Sequence, residues 1–199
     1  EGENFYLDDV QLEEVKEGIT VASPYAGEGP DVLSYPSTGN FNFTEGTVEF
    51  WMQPNWDSGD QPYGWTRLFQ YGIQVDDSGG YPLGDRLSIQ TNGNGTKLEF
   101  VIASKDSVTK RACYSDVDSN FFVKGEWYHV AVVWNEVYSK MFVGGIEVCH
   151  KIEDLILGET NSGLDVYVGF TKNNAGNNFP GNVVIDELRI SNFMRYYGY

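Results

Sequence analysis

Three aromatic residues crowd one polar stretch of this chain: Trp56, Tyr63 and Trp65 stand in PNWDSGDQPYGW (54–65) among Asp57, Asp60 and Gln61. Aromatic rings stack on the apolar face of a sugar while carboxylates and amides hydrogen-bond its hydroxyls, so these residue types suit a polyhydroxylated ligand. Tyr81 in VDDSGGYPLGD (75–85), with Asn173, Asn174, Asn177 and Asn178 in TKNNAGNNFPG (171–181), extends that chemistry over two further loops. Strand-connecting loops are where binding residues concentrate. The competing reading is that Trp65 caps the core and that the asparagines simply suit tight turns.

Catalysis has little to work with. Glycoside hydrolysis needs two carboxylates flanking the scissile bond, and the nearest such spacing, Asp116 and Asp118 in CYSDVDSNF, falls in a loop without a third acid. Tyr128 and His129 offer the residue types of a polysaccharide lyase, but His129 lies inside the apolar run EWYHVAVVW and reads as a sheet-face histidine, and His150 as plain surface. No serine stands in a nucleophile-elbow context such as GxSxG. The expectation is a noncatalytic protein, with a polysaccharide-degrading enzyme as a minor alternative.

Charge narrows the partners. With 29 acidic residues against 13 lysines and arginines, the formal net charge of −16 disfavours nucleic acid as a partner, since a polyphosphate is held by clustered cations. Nucleic acid is therefore not an expected partner, whereas divalent cations suit such a surface. No stretch approaches the roughly 18 apolar residues of a membrane span. The start EGENFYLDDV lacks the basic and apolar regions of a signal peptide, so the sequence reads as a mature soluble chain. Cys113 and Cys149 match no metal or CxxC spacing; a structural disulfide competes with two buried thiols.

The elements that must position these residues are strands. Short runs with period-two alternation recur between Gly, Asn, Asp and Pro clusters. They fall near 4–12, 46–54, 66–75, 85–91, 97–103, 109–114, 126–135, 138–144, 146–150, 164–170 and 182–191. EWYHVAVVW (126–134) is apolar at nearly every position, which predicts a central strand covered on both faces. Gly144-Gly145 in KMFVGGIEV predicts a two-residue primed hairpin, because both positions need positive φ. The length suits one all-β domain, residues 1–199, with residues 1–14 alternatively the last strand of a preceding module.

The ordered blocks GTVEFWMQP, RLFQYG, KLEFVIAS, GEWYHVAVVWN, FVGGIEV, YVGF and VVIDELRIS resemble the laminin-G-like or pentraxin-like jelly roll over roughly residues 40–195. The resemblance implies an antiparallel two-sheet β-sandwich of the concanavalin A-like type. Trp51 matches the tryptophan of the family's early buried strand, and Trp127, His129, Val130 and Ala131 match its W-x-H-V-A strand. The family's glucanases carry alternating acids, E-x-D-x-x-E, absent here. FYLDDVQLEEVKEGITVASPYAGEG is similar to the tail of carbohydrate-binding modules and of phage or bacterial surface proteins, which implies flanking modules of a larger protein. The function so implied is a secreted or surface-exposed module binding carbohydrate or glycoconjugate. The alternative is a structural or adhesion module of a phage tail or cell-surface assembly.

One metal site is expected. Strict alternation in VVIDELRI sets Asp186 in phase with Val184, Leu188 and Ile190, so a carboxylate would point to the apolar side of its strand. Burial there demands hydrogen bonds, a basic partner or a cation. Related sandwiches imply a structural calcium at this place, with backbone carbonyls from Gly46 and from near Asp31 as companions. Asp8, in phase with Tyr6, Val10 and Leu12, is the candidate for an equivalent site. The plainer reading is that Asp186 accepts backbone N–H bonds without metal.

Overall fold

The computed structural model describes residues 5–6, 33–37, 41–61, 64–72, 85–104, 110–115, 121–157, 164–172 and 178–196. Every regular element among them is a strand: β1 (Phe5–Tyr6), β2 (Leu33–Pro36), β3 (Gly46–Pro54), β4 (Arg67–Tyr71), β5 (Arg86–Thr91), β6 (Leu98–Ala103) and β7 (Lys110–Tyr114). After these come β8 (Tyr128–Trp134), β9 (Tyr138–Val143), β10 (Ile146–Ile152), β11 (Asp165–Val168), β12 (Phe170–Lys172), β13 (Asn178–Pro180) and β14 (Val183–Ser191). Two six-stranded sheets, ordered β1-β14-β3-β8-β9-β10 and β2-β11-β4-β5-β6-β7, account for all but the small β12-β13 pair. All pairings are antiparallel. No described helix is long and apolar enough to cross a membrane.

Alternation sends one side of each sheet into a shared core. Val48, Phe50 and Met52 of β3 and Val130, Val132 and Trp134 of β8 face Leu87, Ile89, Leu98, Phe100 and Ile102 of the other sheet, all fully buried or nearly so. Strand β8 is central, and Ala131 and Val133 on its opposite side are also buried, as the apolar run predicts. Trp134 donates from Nε1 to the Phe43 carbonyl (2.9 Å), so the indole is buried without an orphaned N–H. Its ring explains Gly46: a Cβ there would lie 2.7 Å from Trp134 and 2.8 Å from the Ser191 carbonyl oxygen.

The β9–β10 hairpin turns on Gly144 (φ 59°) and Gly145 (φ 80°), the primed turn expected. Three features depart from the expectation. The run 164–170 breaks at Gly169 (φ 69°) into β11 and β12, and β13 occupies part of the stretch read as loop. Strand β2, in a Gly- and Pro-flanked segment absent from the expected strands, is held by four pairs with β11. Its strand character comes from a neighbour more than a hundred residues away, which local pattern does not report. Phe5 and Tyr6 pair with Ile190 and Arg189 of β14.

Candidate functional site

The loop after β3 folds back on residues 121–125 rather than out to solvent. Ser58 donates from N–H to the Phe122 carbonyl and its Oγ accepts from the Phe122 N–H, each at 2.8 Å. Asp57 Oδ1 accepts from the Lys124 N–H (2.8 Å) and the Asp60 N–H donates to the Asp57 carbonyl (2.9 Å). This geometry corrects the reading of Trp56. Expected as a stacking surface, it is 3% exposed and packs edge-on against Phe122 (centroids 5.7 Å), because its loop closes the end of the core. Asp57 and Asp60 remain exposed.

Trp65 takes the opposite position. It is 52% exposed and holds φ at 51°, a left-handed conformation that a bulky residue rarely adopts. The indole lies over the β5–β6 turn, where a Cβ added to Gly93 would stand 3.6 Å from its ring. That turn is locked: Asn92 Oδ1 accepts from the N–H groups of Thr96 (2.8 Å) and Lys97 (3.0 Å), and Thr91 Oγ1 donates to Gln61 Oε1. Trp65 and Gln61 therefore come together on a rigid support, while Tyr63 and Tyr81, expected beside them, lie outside the described residues, as do Asn173, Asn174 and Asn177.

Beyond Trp65 runs the side of the second sheet turned away from the core. A β-bulge between Arg67 and Phe69 sends Leu68 and Phe69 both inward and leaves Arg67 on the outer side. Register then forms a cross-strand row, Arg67, Gln90, Glu99 and Tyr114. Gln90 Nε2 donates to Glu99 Oε2 (2.7 Å) and Ser88 Oγ donates to Gln90 Oε1 (3.1 Å). Burial pulls the Arg67 guanidinium down to about 9, with the charge of Arg86 adding to the shift and Glu99 opposing it. Burial pulls Arg86 down to about 10, again against Glu99. The floor of the row is buried, whereas Tyr114 at its far end is 45% exposed. This row was legible in part, since RLSIQT alternates Arg86, Ser88 and Gln90 with apolar residues.

The outer side of the first sheet centres on Glu49, 5% exposed. Arg189 Nη1 (3.1 Å) and Arg195 Nε (3.4 Å) approach Oε1, His129 Nε2 (3.6 Å) approaches Oε2, and the Tyr196 hydroxyl donates to Oε2. Burial pushes the Glu49 carboxyl up, but the bonds from His129 and Tyr196 and the charges of Arg189 and Arg195 outweigh it and bring it down to about 2. Burial and the Glu49 carboxylate push Tyr196 up to about 12. His129 is thereby committed to Glu49 and to the ring of Trp51 (5.3 Å). Tyr128 points the other way, against Phe121 and Phe122, so the two do not form a catalytic pair.

Of the expected metal set, only Asp186 and Gly46 lie among the described residues, and they stand apart. A β-bulge between Asp186 and Arg189, with Glu187 at φ 51°, inserts one residue into β14 and reverses the phase of the residues beyond it. Ile185, Leu188 and Ile190 face the core, while Asp186 stands opposite exposed Trp51 on the outer side. Its Oδ1 accepts from the Glu187 N–H (2.8 Å). Gly46 lies five register positions along β3 from Trp51, roughly 17 Å away, too far to share an ion whose ligands sit about 2.3–2.6 Å from it. Asp31 and Asp8 lie outside the described residues, among which no group of three or more His, Cys, Asp or Glu side chains could hold a metal. Cys113 and Cys149 form a disulfide between β7 and β10, joining the edges of the two sheets.

Two antiparallel sheets over one core, with polar and aromatic residues displayed on their outer sides, define a jelly-roll sandwich. Residues 27–195 match the laminin G family described as the concanavalin A-like lectin/glucanases superfamily. The chain belongs to that family. Among solved structures, the CBM40 domain of the Ruminococcus gnavus IT-sialidase superimposes with a TM-score of 0.59 at 11% identity, over 77% of this chain and 79% of that one. Domains LG4-5 of the mouse laminin alpha1 chain give 0.57 at 12% identity over 81% of this chain and 39% of that chain. Domain 4 of AbnA, a GH43 extracellular arabinanase from Geobacillus stearothermophilus solved with arabinotriose, gives 0.52 at 14% over 83% and 77%. At these identities the likeness shows the fold. No curated protein sequence matches the chain.

Proposed function

We propose that this domain is a noncatalytic carbohydrate-binding module of a secreted or surface-exposed protein, and that its ligand stacks on Trp65. The observation that carries the reading is the backbone of Trp65. A bulky residue in the left-handed region costs roughly 1–2 kcal/mol, a strain that persists at sites where it serves a purpose. Here it displays an indole 52% exposed against a turn braced by Asn92 and Gln61. Gln61 packs on the same turn at Gly95, and Tyr114 offers a second exposed aromatic surface on the same sheet. Related folds support the chemistry: the R. gnavus CBM40 domain has been solved bound to α2,3 sialyllactose and α2,6 sialyllactose, and AbnA domain 4 with arabinotriose. The Cys113–Cys149 disulfide suits an oxidising, extracellular setting. The chain spans 39% of the laminin chain it resembles, and further modules beside it belong to the same reading.

A glycan array followed by calorimetry tests this. Binding that weakens at least tenfold in Trp65→Ala, with folding intact, is the expected outcome. Absence of binding to any glycan, together with stable self-association, would refute the reading in favour of a structural or adhesion module.

A further inference from the structure

We infer that the outer side of the first sheet carries a second sugar platform, built on Trp51 and Trp127 and suited to neutral saccharides. The chain has five tryptophans, and the fold sorts them sharply. Trp56 and Trp134 are buried at 3% and 0%, and Trp65 belongs to the surface already described. Trp51 and Trp127 are 38% and 43% exposed, although each sits on or beside a strand in the middle of a six-stranded sheet. Trp51 pairs with His129, and Trp127 stands two positions before His129, so alternation sets both indoles on the same side as diagonal neighbours. Diagonal pairs on one sheet face stand roughly 7–8 Å apart.

The polar groups around the rings are already oriented. Gln53, next along β3 on this side, donates from Nε2 to the Gly125 carbonyl (2.8 Å). Asp186, opposite Trp51 on β14, is held by the Glu187 N–H (2.8 Å). His129 is held by Glu49 and leans on Trp51. Each group thus keeps its orientation before a ligand arrives, and strands hold it more rigidly than loops would. Two exposed rings with an amide, a carboxylate and an imidazole between and beside them match the apolar face and hydroxyl rim of a pyranose.

Charge selects the class of sugar. Glu49 is spent on Arg189 and Arg195, while Asp186 and Glu187 border Trp51 in a chain of net charge −16. Such a field repels carboxylated or sulfated rings and leaves neutral ones unopposed. Stacked sheets stand roughly 10 Å apart, so one ring cannot touch both Trp65 and Trp51, and the domain is bivalent. This inference shares with the proposed function only the premise that the ligand is carbohydrate.

The test is tryptophan indole ¹⁵N–¹H NMR of the intact domain, its signals assigned with single Trp→Phe variants. Lactose, arabinotriose, cellotriose and maltotriose are titrated in turn. We expect at least one of them to move the Trp51 and Trp127 signals together while Trp56 and Trp134 stay in place. The response should persist in Trp65→Ala and weaken about tenfold in Trp127→Ala and in Gln53→Ala, two variants that leave Trp51 and the core untouched. If the sugars move only Trp65, the platform is refuted and the Trp65 site stands. If no signal moves with any glycan, the carbohydrate reading fails as a whole. Shifts of Trp51 and Trp127 that follow protein concentration instead of sugar make this face a self-association surface and overturn the inference.

Discussion

Replacing Glu49 by Gln removes one charge from a buried cluster and keeps its shape. The magnitude comes from the carboxyl's displacement from 4.5 to about 2, which at 1.36 kcal/mol per pH unit corresponds to about 3 kcal/mol. Arg189 and Arg195 are 38% and 29% exposed, so solvent screening reduces this to roughly 1–2 kcal/mol. For a domain of this size that is a fall of roughly 2–8 °C in melting temperature. The pH dependence fixes the cause. A carboxyl lowered by folding stabilises fully above its unfolded value and loses that contribution as pH falls through the folded value. Wild type and Glu49→Gln should therefore differ most above pH 4.5 and converge as pH approaches 2. Differential scanning calorimetry of both proteins from pH 7 to pH 2 measures this, and the wild-type-minus-variant difference cancels the other carboxyls. A constant difference across that range, or none at pH 7, would show that Glu49 does not carry the proposed electrostatic stabilisation.

Reduction of Cys113–Cys149, which are 36 residues apart, removes about 4 kcal/mol in the chain-entropy account, so melting should fall roughly 8–16 °C with reductant; unchanged melting would sink that estimate. Trp56→Ala, emptying a buried aromatic position, should cost roughly 3–5 kcal/mol yet leave glycan affinity within about twofold at temperatures where the variant is folded. Lost binding with unaltered melting would put Trp56 at the ligand. Asp186→Asn should leave any response of the melting temperature to millimolar calcium or chelator as it is in wild type. A calcium stabilisation that disappears in the variant would place the ion on Asp186 after all.

Much of the architecture was written locally. Period-two alternation marked β3, β5 and β6, a continuous apolar run marked β8, and Gly144-Gly145 marked its hairpin, because these signals depend only on neighbours in sequence. The aromatic content of residues 54–65 also pointed to the loop that bears Trp65. Which tryptophan meets solvent was decided elsewhere. Trp56 and Trp65 share chemistry and a loop, but Ser58 and Asp57 tie the first half to residues 122–124, some sixty positions on, and that closure buries one ring and frees the other. Asp186 was misplaced for a related reason: one inserted residue at Glu187 reverses every face beyond it, and only the register against β3 reveals the insertion. Trp51 and Trp127 matched a family strand pattern, yet the sheet displays them. Sequence determines which residues alternate; pairing across the sheets determines which side of that alternation is water.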